Sequence, residues 1–378
     1  IRYCTCVKPT AIQFFSHAGV FASIFFIPVF ARDIGVNAFQ LGVVIALFSV
    51  ATLVSNYVFG RWADVHGRRR ILQVGLLLSA LASVTQILAH DALTLAATRI
   101  LVGLAVGIFP SAMYAYVYDS QRKIGKFASF GAIGWGVGSA LAGYLGLFWA
   151  VFLLSSVFLF VAFMVALLLT PTPEVKLKVP FFPRKVIKTN LSVYMAVLVR
   201  HTGAHAIWVI FPLFLLDLGM DLFAVGILYV VNTGTQFVVM QVIDRFESSR
   251  LVTFGLLVSG LTFVTFTFAR NFTEMFPTQI LLGMSWATLY VGSLKFVMER
   301  NVERATSTGL LNSVMSISAI VGPLIGGSVV VIALSMGVAQ LNAYRWTMYI
   351  AAVMATISFF GFWLSARRNR RSENVELL

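Results

Sequence analysis

Long apolar stretches, broken by short polar ones, set the pattern of this chain. They run over 11–31, 38–59, 71–89, 92–118, 127–147, 149–170, 191–216, 221–242, 251–269, 273–297, 306–334 and 343–366. A helix needs about 20 apolar residues to cross the hydrocarbon core of a bilayer. The runs are continuous and do not alternate with a period of two, which argues against a barrel. The pattern predicts twelve transmembrane helices and an all-α integral membrane fold. Composition agrees, since only 11% of residues are charged and 59% are hydrophobic, against about 25% charged in a soluble domain.

A net charge of +14 would suggest nucleic acid in a soluble protein. In a membrane protein its distribution matters more. Lys and Arg gather in alternate connections: Arg61, Arg68, Arg69 and Arg70 after the second run, Arg122, Lys123 and Lys126 after the fourth, Arg245 and Arg250 after the eighth, and Arg300 and Arg304 after the tenth. Arg2 and Lys8 precede the first run, and Arg367, Arg368, Arg370 and Arg371 follow the last. By the positive-inside rule both termini are cytoplasmic in a multi-pass protein of the plasma membrane. Membrane lipids are then the expected partners, and nucleic acid is not. Cys4 and Cys6 are the only cysteines; near a cytoplasmic terminus they read as a reduced pair, with neither a disulfide framework nor a metal site. The first run has the length of a full span, not that of a secretory leader.

The segment 171–190 holds Pro171, Pro173, Pro180 and Pro183 among five basic residues. It is expected to be an interdomain linker on the cytoplasmic surface. It separates a six-helix bundle over 1–170 from a second over 191–378, which ends in a short basic tail. The halves repeat. A shift of 184 carries His17, Gly19, Pro28, Phe30, Asp33 and Gly35 onto His201, Gly203, Pro212, Phe214, Asp217 and Gly219. A shift of 180 carries Asp64, Arg70 and Gly75 onto Asp244, Arg250 and Gly255. Parallel six-span repeats imply a binding site near the bilayer midplane, between the halves.

The connection 60–72 reads GRWADVHGRRRIL. Its Gly60, Asp64, Gly67, Arg68 and Arg69 match a signature of roughly G-x-x-x-D-x-x-G-R-[KR] between the second and third helices. In this it resembles the major facilitator superfamily of secondary transporters, in particular the drug and metabolite proton antiporter branch. Trp62 departs from the leucine common at its position. Arg99 with Gly103 looks like the R-x-x-x-G element of helix 4. The fifth run, with Gly125, Gly134, Gly138, Ser139, Ala142 and Gly143, resembles the antiporter glycine pattern without its proline and one glycine. An intact GPLIGG, Gly322–Gly327, stands on the eleventh run instead. Gly134, Gly138, Gly143, Gly322, Pro323, Gly326 and Gly327 are the expected helix-packing hinge. Gly60 and Gly67 are expected to turn the chain sharply. The resemblance implies a conformational latch at Asp64, facing an arginine of its own loop and the positive end of a helix from the other half. Asp244 is a weaker second candidate, because its loop lacks both glycines.

Ionisable groups within spans are costly and point to function. They are Arg99, Arg200, His17, His201, His205 and Lys295. All fall on runs 1, 4, 7 and 10, which the resemblance implies line a central cavity. These six, with Asp33, are the candidate substrate and proton-coupling residues. Imidazole suits proton transfer at physiological pH. Lys295 and Glu299 stand one helical turn apart and can pair. Asp33, Asp217 and Asp221 sit at span ends, and no carboxylate lies mid-membrane, so Arg99 and Arg200 also fit a carrier of organic anions. No G-x-x-x-x-G-K-[ST] loop is present, which excludes ATP as the direct driving force within this chain. The expected function is a monomeric secondary transporter working by alternating access, with no catalytic residue, cofactor or metal: proton-coupled efflux of an amphipathic or drug-like small molecule. A membrane-embedded enzyme using His17, His201 and His205 is the alternative of another class.

Overall fold

The computed structural model describes residues 2–24, 26–36, 38–121, 123–170 and 177–376. Arg122 and, in the expected linker, Pro171, Pro173 and Lys176 lie outside the described residues. So do the side chains of Cys4 and Cys6. The described residues form helices and short connections, with no strand among them. The α-helices are α1 Arg2–Ile24, α2 Ile27–Asp33, α3 Ala38–His66, α4 Arg68–Thr85, α5 Ala92–Val106, α6 Phe109–Gln121, α7 Ile124–Leu145, α8 Phe148–Leu167, α9 Arg184–Trp208, α10 Phe211–Asp217, α11 Leu222–Val242, α12 Ser248–Phe268, α13 Phe272–Arg300, α14 Arg304–Ser335 and α15 Gln340–Glu376.

Among the described residues ten stretches are long and apolar enough to cross a membrane, and eleven if the bent pair α9–α10 counts as one. The protein is therefore a multi-pass membrane protein. The expected fifth run is occupied by α7, whose six glycines dilute its apolar density. Three breaks, at α1–α2, α5–α6 and α9–α10, make fifteen helices from twelve runs. Pro28 and Pro212 lack an N–H, so each opens a new helix, α2 or α10, in a first turn that needs none. The α9–α10 bend is 42°. The same two helices end alike: Gly35 and Gly219 take φ of 79° and 84°, a left-handed geometry that glycine adopts without strain. Helix α5 opens on a capping box, with the Thr94 backbone N–H and hydroxyl both donating to Asp91 Oδ1. Those bonds, the backbone one first, hold the Asp91 carboxyl below the usual carboxylate range.

Packing divides the chain into two compact units. The first comprises Ile1–Val186 with Asn301–Ser316, the second Ile187–Arg300 with Ile317–Leu378. Helix α14 thus contributes its first turns to one unit and the remainder to the other. In the first unit α1 packs on α7 and α8, and α3 on α5. In the second α12 packs on α13 and α15.

Small residues set the closest approaches. A Cβ on Gly134 or Gly138 would collide with the Phe14 or Ala18 carbonyl of α1. In the second unit one on Gly322 would come 2.6 Å from the Thr202 carbonyl of α9, and one on Gly326 would collide with that of Ala206. The sequence grouped Gly143 and Gly327 with these glycines, but nothing lies within 4 Å of a Cβ at either. Pro323 lies within α14.

Candidate functional site

Asp64 ends the third helix's buried face, with only 2% of the residue exposed. Four residues on, at the start of α4, Arg68 donates to Asp64 Oδ1 from Nη2 at 2.8 Å and from Nε at 3.1 Å. The turn between them is made by Gly67, at φ 106°. Gly60 does not turn the chain. It lies inside α3, and its missing side chain leaves room for the start of α14, where Ala305 O and Gly309 Cα would come 2.8 and 2.9 Å from a Cβ. That approach brings the free N-terminal N–H groups of α14 to Asp64. Ala305 N donates to Oδ1 at 3.3 Å, Thr306 N to Oδ2 at 2.7 Å, and the Thr306 hydroxyl to Oδ2 at 2.8 Å. The carboxylate of α3 thereby caps α14, satisfying donors that no helical carbonyl can reach, and its charge meets the positive helix end.

A second carboxylate closes the network. Asp119, at the end of α6, pairs with Arg68 and, at 2.5 Å, with Arg304. The sequence analysis counts Arg304 only as a topological charge and assigns no role to Asp119 or Thr306. The signal for Asp119 was there: the 180-residue shift places acidic Glu299 on it. Arg69 stands apart from this network. It donates to the Leu167 carbonyl, as Lys8 does to Leu168 and Gln73 to Ala166, so these side chains satisfy the C-terminal carbonyls of α8.

The corresponding corner of the second unit is built differently. Ser248 stands where Arg68 does and donates to Glu299, the mate of Asp119, at 2.5 Å. Lys295 is not directed to Glu299. It donates to the Asp244 and Phe246 carbonyls at 2.9 and 2.8 Å, pinning the loop that carries Asp244.

The in-span candidates separate into two groups. In the first unit Arg99 is buried, with its guanidinium 3.9 Å from the centre of the Phe48 ring and Nη1 donating to Gln86 at 3.2 Å. Its Nε has no hydrogen-bond partner among the described residues. His17 sits on α1 beside Gly131, with Phe21 and then Trp135 beyond it at ring separations of 5.9 and 4.9 Å. One turn earlier Gln13 donates to Tyr114. Asp33 is exposed at the end of α2, away from these groups.

In the second unit Arg200 is 1% exposed and donates to Ser259, Ser285 and His201 Nδ1. His201 lies edge-on to His205 at 4.7 Å and stacks on Trp286 at 5.0 Å, which stacks in turn on Tyr290 at 4.9 Å. Neither Arg99 nor Arg200 forms an ion pair among the described residues. Among the described residues no group of three or more His, Cys, Asp or Glu side chains gathers as a metal would require.

Comparison with known proteins places this architecture. The family model of the Major Facilitator Superfamily matches residues 10–300 and 193–377. The chain belongs to the Major Facilitator Superfamily. It is a transporter, not an enzyme. Among curated members it is 21% identical over 325 residues to the quinolone resistance protein NorA of Staphylococcus aureus (strain COL), covering 80% of this chain and 84% of that one. It is 24% identical over 124 residues to multidrug resistance protein 2 of Bacillus subtilis (strain 168), covering 31% of each. The human organic anion transporter MFSD10 superimposes with a TM-score of 0.75 at 14% identity, covering 95% of this chain and 98% of that one. A bacterial homologue of the iron transporter ferroportin in an outward-facing state gives 0.75 at 14% identity, covering 96% and 99%. Those superpositions establish the superfamily fold.

Proposed function

We propose that the protein is a twelve-span secondary transporter of the plasma membrane, with both termini cytoplasmic, that exports amphipathic or drug-like small molecules in exchange for protons by alternating access. The capping of α14 by Asp64 is the observation that carries the mechanism. A charged cap costs little to break when water can replace its partners, so it can be made in one conformer and lost in the other. Helix α7 supplies the twelfth span. Likeness to the quinolone resistance protein over four-fifths of the chain supports export and a drug-like cargo. Proton coupling is assigned to the His17, His201 and His205 set together with Arg99. A second reading, a carrier of small organic anions, is favoured by Arg99 and Arg200, two buried cations in no ion pair among the described residues.

The test is proton flux in proteoliposomes loaded with a pH dye, on addition of a quinolone, a lipophilic cation or an aromatic carboxylate. Proton movement with the quinolone or the cation supports the first reading, and movement with the carboxylate alone supports the second. Substrate flux without proton movement overturns coupling.

A further inference from the structure

The linker expected on the cytoplasmic surface does something more specific in its described part. Leu177 N donates to the Asp64 carbonyl at 3.0 Å, Arg61 Nε donates to Val179 O at 2.8 Å, and the Tyr57 hydroxyl donates to Phe181 O at 2.7 Å. Successive linker residues therefore meet successively earlier turns of α3. The segment runs back along the helix by seven helical residues, about 10 Å at 1.5 Å per residue. Helix α3 holds 29 residues, whereas about 20 fill the hydrocarbon core. Because the apolar run ends at Phe59 and Arg61 is the helix's first charge, the excess falls at the C-terminal end, which puts the last two turns at the headgroup layer and Tyr57 near the edge of the core. The linker descends toward that edge and reaches it at Phe181.

At the lowest point stand two aromatic side chains that unit packing leaves open. Phe181 is 66% and Phe182 59% exposed. Phe181 meets the Tyr57 ring edge-on at 5.6 Å, and Arg184 lies 5.9 Å over the ring of Phe182. Prolines 180 and 183 bracket the pair, and Lys178, Arg184 and Lys185 around it are exposed. The same stretch of α3 carries Trp62, 42% exposed, where the family pattern favours leucine. Two apolar rings fringed by cations, at headgroup depth, match the chemistry of an anionic phospholipid surface.

We propose that residues 177–185 form an interfacial anchor that seats Phe181 and Phe182 at the acyl-chain boundary and sets Lys178, Arg184 and Lys185 on the phosphates of anionic phospholipids. The occupant is the leaflet on the side of the 60–72 loop. Because Leu177 is bonded to Asp64 itself, the anchor ties lipid composition to the residue that caps α14.

The proposal is tested on the full chain with Cys4→Ser and Cys6→Ser, carrying a bimane label at Phe182→Cys or at Lys178→Cys. The protein is reconstituted in phosphatidylcholine with about 30 mol % phosphatidylglycerol. A nitroxide near the headgroup end of the acyl chain should quench the label at 182 about threefold more, relative to aqueous iodide, than the label at 178. Equal iodide quenching at both positions overturns the wedge. The headgroup arm is thermal unfolding in detergent. Added phosphatidylglycerol should raise the midpoint, whereas phosphatidylcholine and soluble glycerol phosphate should not. The triple variant Lys178→Gln, Arg184→Gln, Lys185→Gln should lose that response. A response to glycerol phosphate as large as that to the lipid, or an unchanged response in the triple variant, overturns the headgroup assignment. If the triple variant does not fold, the quenching pair still decides, since it keeps Arg184 and Lys185. None of these readouts depends on what the protein transports.

Discussion

Asp64 accepts five hydrogen bonds, two from Arg68, one from Ala305 and two from Thr306. An amide at this position would offer one acceptor oxygen and turn two new N–H donors toward groups that are already donors. The charge would also be lost from the helix end. Asp64→Asn is expected to remove about 1–3 kcal/mol of bias between transport conformers, a 5–150-fold shift in their equilibrium. Uptake or efflux assays should show transport down by about that range with expression and detergent-phase folding intact. Wild-type rates would refute the latch. Arg99 makes a contrasting case. Its cation is buried against Phe48 and Gln86 with no carboxylate to neutralise it, and burial of an uncompensated charge costs stability. Arg99→Met is therefore expected to leave the unfolding midpoint unchanged or raised, while transport falls by about tenfold or more. A variant that is less stable but transports normally would make Arg99 a structural residue and take it off the site.

The glycines of α7 and α14 show how far a pattern of residues can be read before the neighbours are known. Their spacing alone marks both helices as closely packed. It does not say which glycine faces the partner. Gly134, Gly138 and Ala142 form one ridge at intervals of four, and a shift of 184 brings Ser318, Gly322 and Gly326 into the same ridge of α14. Gly143 and Gly327 follow the ridge by one residue, about 100° around the helix, and face open space. Gly138→Ala and Gly326→Ala are expected to force helix pairs apart and cost about 1–3 kcal/mol. Gly143→Ala and Gly327→Ala should be neutral or stabilise by up to about 1 kcal/mol, the helix-propensity gain. Unfolding midpoints in detergent distinguish the pairs, and equal losses at all four positions would remove the packing argument. The broken first and seventh runs were legible in part, since Pro28 and Pro212 were in register. The bend itself depends on packing around the break and is not written in the apolar pattern.

Across the whole chain the two repeats share helices and turns yet differ at their charged corners. The sequence carried Asp64 and Arg68 through a motif. The repeat marks Asp119 as an acidic position, but its partnership with Arg304, and the part of Thr306, were not legible, because no local pattern links residues 55 and 240 positions further on to one carboxylate. Only folding brings them together. The same folding shows what the second repeat has replaced. The Arg68–Asp119 ion pair becomes a Ser248–Glu299 hydrogen bond, and the Asp244 loop is tied through Lys295, a residue of its own unit. The bonds of Asp64 end on the first turns of α14, a helix whose remaining turns belong to the second unit. Lys295 holds that loop by backbone carbonyls, which Asn keeps, so Asp244→Asn is expected to keep transport within about threefold of wild type, whereas Asp64→Asn removes the charge that caps α14. Lys295→Met should instead loosen the 243–247 loop and raise its amide hydrogen exchange, with a smaller effect on transport than Asp64→Asn. Equal losses of transport in Asp64→Asn and Asp244→Asn, measured in the same proteoliposomes, would show that the two corners act alike and that the asymmetry of their contacts has no part in the cycle.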